Sequence, residues 1–220
     1  MYIVMLGKPG SGKGTVGKML SESLGIAHIS SGEIFRNYIK KAGEIGTIIE
    51  EYVNKGMLVP DELTIKLVEK RLDEDDCKNG VILDGYPRNI AQAEELDKYL
   101  KNKNAKIDMA VELNLSDEDI ISRIITRRVC PNPKCREVYN LDFKKPKIDG
   151  ICDKCGTKLI QRDDDKEETI LERLKTYHES SEMLVKYYKS HDLLYKVKIN
   201  QHSKKTSEDV ANDIEELLKK

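Results

Sequence analysis

The chain has 220 residues, 35% of which are charged, and its 38 Lys and Arg side chains almost balance its 39 Asp and Glu side chains. This length allows one large domain or two small ones with a substantial core. The near-neutral charge argues against a nucleic acid or an anionic membrane as partner, and we expect neither. Because no apolar stretch approaches the length of a membrane span, we expect a cytoplasmic protein.

A glycine-rich loop follows the first apolar run. Residues 2–6 predict a buried strand, and the apolar period over residues 16–24 predicts a helix. The glycines between them, together with Lys13, match the phosphate-binding loop, in which backbone N–H groups, a helix N-terminus and the lysine hold a polyphosphate. The general motif has Ser or Thr directly after the lysine, but here Gly14 precedes Thr15. Thr15 is therefore the candidate hydroxyl for Mg²⁺.

Two other interpretations fit this loop less well. Residues 12–17 match the dinucleotide pattern G-x-G-x-x-G, but that pattern should begin where the strand ends, and this one begins inside the predicted helix. A flexible turn without a ligand is disfavoured by the order of strand, loop and helix with Lys13 in place. We therefore predict a nucleotide phosphate site.

A mostly helical insertion is predicted after the second strand, which residues 27–29 indicate. Ser30, with Glu33 three residues later, predicts a capping box at the start of a helix. Either Ser30 or Ser31 could also present its hydroxyl to a ligand. A further helix is predicted to have Asp61 as its N-cap.

An aspartate and an arginine follow the third apolar run. The continuous apolar residues 81–83 predict a strand that is buried on both faces, and thus a parallel sheet. Asp84, at the carboxyl end of this strand, could hold a Mg²⁺-bound water. The following turn presents Arg88 beside it, and Asn89 is the predicted N-cap of the next helix. An aspartate and an arginine at a strand end opposite a phosphate loop favour chemistry over a solvated turn.

Arginine is rare in this chain, at nine of the 38 basic residues. A planar guanidinium can bind a phosphate through two hydrogen bonds, whereas an ammonium is a point charge. Ser116 is the predicted N-cap of the helix after the fourth strand. Arg123 and Arg127 are predicted four residues apart on its polar face, where their repulsion indicates a polyanion between them. For Arg71 and Arg136 we expect only chance surface positions.

Four cysteines have the spacing of a metal site. They form C-x₄-C-x₁₆-C-x₂-C and are Cys130, Cys135, Cys152 and Cys155. This spacing predicts a structural, tetrahedral Zn²⁺ site. Disulfides are the alternative, but a cytosolic compartment disfavours them. Residues 138–139 and 141–143 are the predicted strands of a zinc ribbon.

The remaining elements contain few candidate site residues. Cys77 stands alone, and we expect it to be a small buried side chain. A long helix is predicted over residues 167–188 and a last strand over residues 194–199. Ser207 is the predicted N-cap of the terminal helix.

Together these motifs resemble the adenylate kinase family over nearly the whole chain. The sequence carries Gly7-x-Pro9-Gly-x-Gly-Lys13-Gly14-Thr15, Ser31-Gly32-x-x-x-Arg36, Asp84-Gly85-x-Pro87-Arg88-x-x-x-Gln92, Arg123-x-x-x-Arg127, Arg162-x-Asp164-Asp165 and Arg173. The extra glycine in the phosphate loop is the family's own form. The segment with four cysteines is similar to the zinc-bearing lid of bacterial-type members. Two differences are Ser31, where threonine is frequent, and the four residues rather than two within the first cysteine pair.

The resemblance implies an α/β fold of the P-loop nucleoside monophosphate kinase type. This fold has a parallel five-stranded sheet flanked by helices, a helical insert that binds the monophosphate, and a zinc-ribbon-like lid. The implied core comprises residues 1–29, 74–126 and 166–220, with an insert of residues 30–73 and a lid of residues 127–165. The implied function is the reversible reaction of Mg·ATP with AMP to give two ADP, in adenine nucleotide homeostasis. We expect a monomer that uses Mg²⁺ with ATP and a structural Zn²⁺.

The resemblance also assigns residues to each substrate. For ATP these are Gly10, Ser11, Gly12, Lys13, Gly14, Thr15, Arg123, Arg127, Val138, Tyr139 and Gln201. For AMP they are Ser31, Arg36, Met57, Leu58, Val59, Gly85, Tyr86, Pro87, Arg88, Gln92, Arg162 and Arg173, with Gln92 recognising adenine. The implied catalytic residues are Lys13, Asp84, Arg88, Arg123, Arg127, Arg162 and Arg173. The four cysteines named above are the implied metal ligands.

Other functions fit less well. Another monophosphate acceptor, or GTP as donor, is disfavoured by the zinc lid and by Gln92, through the resemblance alone. A regulatory GTPase should carry N-K-x-D, which is absent from the sequence. A zinc-ribbon nucleic-acid binder should be strongly basic, but residues 130–155 hold six Lys or Arg against four Asp or Glu.

Overall fold

Five parallel strands form a central sheet. The computed structural model describes residues 1–198 and 206–218, so the predicted ATP contact Gln201 lies outside the described residues. The strands are β1 (Tyr2–Leu6), β2 (Ala27–Ser30), β3 (Val81–Asp84), β4 (Met109–Asn114), β5 (Arg127–Val129), β6 (Val138–Asn140) and β7 (Leu194–Lys198). The spatial order in the central sheet is β2–β3–β1–β4–β7, and β5 and β6 form a separate antiparallel pair. The predicted five-stranded parallel sheet is confirmed.

Nine α-helices lie in the part of the chain that the structure describes. They are α1 (Lys13–Leu24), α2 (Ser31–Lys40), α3 (Glu44–Asn54), α4 (Asp61–Leu72), α5 (Ile90–Asn102), α6 (Asp117–Ile125), α7 (Glu167–Thr176), α8 (Glu182–Ser190) and α9 (Ser207–Leu218). No helix within the described ranges is both long and apolar enough to cross a bilayer.

Helices cover both faces of the sheet. Val4 and Leu6 of β1 pack on one face with side chains of α4, α5 and α8. Ile3 and Met5 pack on the other face with side chains of α1 and α9. Because alternate residues of a strand point to opposite faces, β1 separates two apolar clusters. Each fully buried aliphatic side chain contributes roughly 1.5–3 kcal/mol, so this sheet is a firm base for the loops at its carboxyl edge.

Among the described residues, three smaller apolar clusters lie outside the two sheet clusters, and one of them joins α6 and α7. Helices α2, α3 and α4 follow β2 in the chain and share a cluster that includes Phe35, Ile49 and Leu67. The antiparallel pair β5–β6 belongs to the third cluster, whose buried members are Cys130, Tyr139, Cys152 and Leu159. Half of that cluster consists of cysteine.

Two N-caps that the sequence predicts are wrong. Ser30 precedes α2, but no side-chain hydrogen bond caps this helix, so the capping box with Glu33 does not form. Asp61 is the first residue of α4, and its carboxylate accepts hydrogen bonds from Asn89 and Gln92 instead. The Asn89 cap is confirmed, since its side chain accepts from the backbone N–H of Gln92 at 2.9 Å.

The remaining two caps have different outcomes. The Ser116 cap is confirmed, since its side chain accepts from the backbone N–H of Asp119 at 3.1 Å. The Ser207 cap is wrong, because Thr206 takes this place: its hydroxyl accepts from the backbone N–H of Asp209 at 3.1 Å.

Three elements differ in extent from their predictions. Helix α6 ends at Ile125, so Arg127 lies in β5 rather than on a helix face. Strand β6 pairs with β5, and residues 141–143 form a turn, because the side chain of Asn140 accepts from the backbone N–H of Asp142. A π-helical turn over Tyr177–Ser181 interrupts the predicted long helix between α7 and α8.

Candidate active site

A cavity of about 770 Å³ lies at the carboxyl ends of β1 and β3. Ligands of open α/β sheets bind at this edge. Most of the predicted substrate and catalytic residues line it, namely Gly10, Gly12, Lys13, Gly14, Thr15, Arg36, Leu58, Asp84, Gly85, Pro87, Arg88, Arg123, Arg127, Val138, Tyr139, Arg162 and Arg173. Residues that are far apart in sequence thus share one cavity.

The loop between β1 and α1 has a backbone that favours glycine. Gly7, Gly10 and Gly12 have φ angles of 134°, 79° and 99°. A Cβ atom on Gly7 would lie 2.4 Å from the carbonyl oxygen of Leu113. Gly12 immediately precedes α1 and lines the cavity, so the N-terminus of α1 can bind an anion there.

Lys13 folds back over this loop. Its Nζ donates to the carbonyl oxygens of Gly7 at 2.7 Å and Lys8 at 2.8 Å. Burial lowers the pKa of Lys13 to about 8, the Asp84 carboxylate partly opposes that shift, and the guanidinium groups of Arg88 and others lower it further. A polyanion in the cavity would favour the charged ammonium and reverse this shift.

Asp84 stands beside the phosphate loop. In the sheet it pairs with Met5 of β1 and Ser30 of β2, which places its carboxylate at the carboxyl edge. A Cβ atom on Gly14 would lie only 3.1 Å from Oδ2 of Asp84. A side chain at position 14 would therefore crowd the Asp84 carboxylate. The hydroxyl of Thr15, one residue later, also lines the cavity.

The turn after β3 orients Arg88. Its Nε donates to the carbonyl oxygen of Gly85 at 2.8 Å, and Ser31 donates to the same oxygen at 2.6 Å. A Cβ atom on Gly85 would lie 2.9 Å from the Ser31 hydroxyl, so glycine is needed for this approach. Burial, followed by repulsion from Arg173, lowers the pKa of Arg88 to about 10.

Cations exceed anions around the cavity. Burial lowers the pKa of Arg162 to about 9, and repulsion from Arg127 and Arg36 adds to this shift. Burial likewise lowers the pKa of Arg173. Desolvation by burial is the largest cause of both shifts, and repulsion among the guanidinium groups adds to it. Such a cluster binds a polyphosphate favourably.

Two aspartates form hydrogen bonds with the guanidinium groups of two of these arginines. Nη1 of Arg173 lies 2.9 Å from Oδ2 of Asp164. Nε of Arg127 donates to Oδ2 of Asp165 at 2.9 Å, and a second hydrogen bond joins its Nη2 to Oδ1. Burial alone would raise the pKa of Asp164, but Arg173 and other arginines outweigh burial and lower it. These carboxylates fix the guanidinium planes.

Several predicted site residues do not line the cavity. Ser11 and Ser31 are buried, and Ser31 acts on the turn after β3 as described above. Met57 is 47% exposed and lines a separate shallow cleft between α3 and α7. The others, buried behind the cavity wall, are Val59, Tyr86 and Gln92.

Sequence reasoning missed two residues that the structure brings to this cavity. The ring of Phe143 lies 5.3 Å from the guanidinium carbon of Arg123, and both line the cavity. The chain has only two phenylalanines, so an aromatic residue in a polar segment was an available signal. Arg136, expected at a chance position, instead forms an ion pair with Glu33 of α2.

The four predicted metal ligands converge. Their sulfur atoms all lie within 4.8 Å of one another. The sulfurs of Cys130 and Cys155 are 3.4 Å apart, and those of Cys135 and Cys152 are 3.6 Å apart. Thiolates about 2.3 Å from a tetrahedral ion lie roughly 3.8 Å from each other, so the group fits one metal ion and is compatible with zinc. Cys77 is separate and buried, as predicted.

A phosphate loop that faces a cluster of arginines across a parallel-sheet edge defines the class of P-loop nucleotide phosphotransferases. A model of the family described as adenylate kinase matches residues 5–193 of the chain. The adenylate kinase of Acetivibrio thermocellus is 47% identical over 212 residues, which cover 96% of this chain and 97% of that protein. The adenylate kinase of Archaeoglobus fulgidus is 46% identical over 220 residues, which cover 100% of this chain and 99% of that protein. The chain belongs to the adenylate kinase family, and it is an enzyme that binds nucleotides and transfers phosphoryl groups.

Proposed function

We propose that the cavity is where this chain carries out the adenylate kinase reaction, the reversible transfer of a phosphoryl group from Mg·ATP to AMP that gives two ADP. The observation that carries this proposal is that Arg88, Arg127 and Arg173 line the same cavity as Lys13 of the phosphate loop. In-line phosphoryl transfer depends on positioning and charge stabilisation much more than on covalent chemistry. No general base is needed, because the phosphate of AMP is already a nucleophile.

The cavity has two sides that suit two nucleotides. We assign the loop of residues 10–15, with Arg123 and Arg127, to the phosphates of ATP. Val138 and Tyr139 of β6, and the ring of Phe143, then lie on the ATP side, where a base can stack. Gln201 remains a predicted ATP contact.

We assign the opposite side to AMP. Arg36 of α2 and Arg88 would hold its phosphate, and Leu58 lines the same side. Gln92 lies behind the wall, but its Oε1 accepts from the backbone N–H of Arg88, which places the amide next to this side. The remaining proposed contacts are Ser31, Met57, Val59, Gly85, Tyr86 and Pro87. Arg162 and Arg173 would serve the phosphates of both nucleotides.

Magnesium has suitable donors in this cavity. The Mg²⁺ that accompanies ATP neutralises charge on the transferring phosphates. The hydroxyl of Thr15 and the carboxylate of Asp84 would hold it or its waters, since both line the cavity and oxygen ligands suit this ion. Asp84 also partly offsets the lowering of the Lys13 pKa by burial and so favours the charged form of Lys13.

Three parts of the chain would move separately during turnover. We propose a core of residues 1–29, 74–126 and 166–220, a monophosphate insert of residues 30–73 and a lid of residues 127–165. The apolar clusters around Phe35 in the insert and around Tyr139 in the lid support this division, and Val68 and Leu72 at the end of the insert pack with the core. A closed lid delivers Arg127 and Arg162 and excludes water, which would otherwise compete with AMP. Zinc on the four cysteines would hold the lid together.

The enzyme is proposed to act as a cytoplasmic monomer. Light scattering on the purified protein should give the monomer mass of 25.1 kDa. A mass of twice that value, with activity that falls on dilution, would contradict the proposal.

The substrate assignment is tested by offering Mg·ATP with AMP, UMP, CMP or GMP and measuring the diphosphate formed. We expect product chiefly with AMP. Gln92→Ala should raise the KM for AMP much more than the KM for ATP, because it changes only the AMP side. Arg88→Lys should lower kcat, because a point charge cannot replace the fork. Equal losses for both nucleotides in the Gln92 variant would refute its assignment to AMP.

A further inference from the structure

The buried amide of Gln92 has an orientation that its neighbours determine. Its Oε1 accepts from the backbone N–H of Arg88 at 2.8 Å, and its Nε2 donates to Oδ1 of Asp61 at 2.7 Å. Gln92 is only 1% exposed, so water does not replace either partner. A backbone N–H only donates and an ionised carboxylate only accepts. Turning the amide over would therefore create a mismatch at both ends.

Asp61 is the partner that a mutation can change. It is the first residue of α4, and its carboxylate also accepts from Nδ2 of Asn89 at 3.0 and 3.1 Å. Asn89 in turn caps α5 and accepts from the backbone N–H of Gln92. Asp61 does not line the cavity, and of its two hydrogen-bond partners Gln92 is the one to which the base of AMP is assigned.

The orientation of an amide matters for the choice of purine. Adenine presents an acceptor at N1 and a donor at N6, whereas hypoxanthine and guanine present a donor at N1 and an acceptor at O6. The Gln92 amide retains one hydrogen on Nε2 and one lone pair on Oε1 after its protein contacts are made. A freely turning amide can pair with either purine edge by rotating through half a turn. A locked amide matches only one of them.

We propose that Asp61 is a positioning residue that determines the acceptor specificity of the enzyme. It holds the Gln92 amide in the orientation that pairs with adenine, and thereby rejects the monophosphates of 6-oxopurines. Inosine monophosphate is the matched probe, because it differs from AMP only at the edge that the amide contacts. The inference rests on the proposed assignment of Gln92 to the base of AMP.

The test compares kcat/KM for AMP with that for inosine monophosphate, with Mg·ATP as donor, in the wild type and in Asp61→Asn. An asparagine side chain both donates and accepts, so one of the two locks on Gln92 is released while the size is kept. We expect the AMP preference to fall by about tenfold, the factor for one net hydrogen bond. The kcat with AMP should change by less than about twofold, since a positioning residue of this kind acts through KM.

Two further variants separate this role from a merely structural one. Asp61→Glu keeps a group that only accepts and should retain most of the preference for AMP. Glu62→Gln makes the same charge change on the exposed neighbouring residue and should leave the preference unchanged. If Asp61→Asn does not fold, as judged by its melting curve, Asp61→Ser repeats the test with a smaller group that also donates and accepts.

A Gln92→Ala background distinguishes failure of this inference from failure of the proposed function. If Gln92→Ala abolishes the preference and Asp61→Asn adds nothing to it, the inference is supported. If Gln92→Ala abolishes the preference but Asp61→Asn alone leaves it intact, Asp61 is not the lock. If Asp61→Asn has the same effect with and without Gln92, it acts by another route and the inference is wrong. An unchanged preference in Gln92→Ala overturns both the base assignment and the inference.

Discussion

The central sheet and the cysteine-bearing segment of residues 127–165 hold their phosphate-binding side chains by different means. Lys13 follows β1, which is buried between two apolar clusters that helices complete on both faces. Arg127 and Arg162 flank a segment whose buried cluster has only four members, two of them cysteines. A segment of this size cannot bury enough apolar surface to fold alone.

One active site thus combines residues that the folded sheet positions at all times with residues that are positioned only under some conditions. The phosphate loop should keep its geometry as long as the sheet remains folded. The arginines from the cysteine-bearing segment should be well placed only when a metal and a closed conformation support them. Changes to the phosphate loop should therefore lower turnover without lowering stability. Changes to the cysteine-bearing segment should lower stability more than turnover.

The largest effect is expected from Lys13→Met on the sheet side. Turnover should fall by roughly two to three orders of magnitude, the size of effect seen when one preorganised charge is lost from a transition state. The melting temperature should not fall, because the pKa of Lys13 shows that burial disfavours its charge in the free enzyme. Steady-state kinetics and a melting curve measure both quantities.

The control for this prediction is Lys98→Met, which removes an exposed lysine that pairs with Glu95 on α5. It should have nearly normal turnover. Nearly normal turnover in a folded Lys13→Met would discard the phosphate-loop assignment.

The second-largest effect is expected from metal removal on the other side. Chelation or Cys152→Ser should lower the melting temperature by about 10 °C, because the free energy of metal binding here is free energy of folding. Activity well below the new melting temperature should survive in part, since substrates can order the loosened segment. Elemental analysis should give one zinc per chain, and hydrogen exchange should show that unfolding begins within residues 127–165.

Cys77→Ala is the matched control, because Cys77 is buried but lies apart from the four converging sulfurs. This variant should bind one zinc and respond to the chelator as the wild type does. A reduced wild-type protein that holds no metal and melts identically with chelator would show that the four cysteines have no structural zinc.

The same contrast accounts for how far sequence reasoning reached. The strands of the sheet were predictable because short, continuous apolar runs bounded by turn residues favour strands that are buried on both faces. The convergence of the four cysteines was predictable because their spacing is typical of metal ligands. The capping predictions for Ser30 and Asp61 failed, because a capping pattern considers only a local hydrogen bond. The Asp61 carboxylate accepts from Gln92 instead, and no side-chain hydrogen bond caps α2 after Ser30. At such positions, contacts with residues distant in sequence determine the hydrogen bonds of a side chain, and the local pattern does not.

The role of Arg136 could not be predicted for a related reason. Its partner, Glu33, lies 103 residues earlier in the chain, and no spacing rule connects two such positions. The turn that displaced the predicted strand over residues 141–143 depends on one Asn140 side chain. Arg88, Arg123 and Arg127 were predicted from their places after a strand and along a helix, and Arg36, Arg162 and Arg173 from the family resemblance. Phe143 was missed because no spacing rule connects it with Arg123, although the rarity of phenylalanine was an available signal.

A smaller effect is expected where the two regions touch. The ion pair of Arg136 with Glu33 joins the cysteine-bearing segment to α2, and its side chains are 39% and 31% exposed. An exposed pair contributes about 0–1 kcal/mol, so Arg136→Ala should change the melting temperature little. The KM values for ATP and AMP should both rise by about two- to fivefold, the range that such an energy allows, because the closed state loses a contact.

Lys145→Ala is the control, since Lys145 is an exposed cation of the same cysteine-bearing segment and does not line the cavity. It should leave both KM values near normal. If Arg136→Ala raises the KM for only one nucleotide, the ion pair with Glu33 does not stabilise a closed state that both nucleotides share.

The smallest effect is expected from His178, which ties the π-helical turn to the phosphate-loop side of the sheet. Its Nε2 lies 3.0 Å from Asp117 and its Nδ1 2.8 Å from Glu182, while Asp117 also pairs with Lys8 of the loop. Hydrogen bonds to Glu182 and then Asp117 raise the pKa of His178. A raised pKa in the folded state means that the contribution to stability is fully present below the unfolded pKa of about 6.5 and is lost as pH rises through the folded value. Because the side chain is 37% exposed, this contribution is below about 1 kcal/mol.

The wild type should therefore lose slightly more stability than His178→Gln between pH 6 and pH 8.5, as measured by urea unfolding at each pH. His191→Gln is the control, since His191 is exposed, follows the same helix and faces a backbone carbonyl of Tyr187 rather than two carboxylates. It should show the pH dependence of the wild type. If His178→Gln and the wild type have parallel pH profiles, the tie adds nothing to stability, and the phosphate loop depends on the sheet alone. A wild-type profile that instead gains stability over this range relative to His178→Gln would mean that the neutral imidazole is the favoured form in the fold, opposite to what its two carboxylate neighbours require.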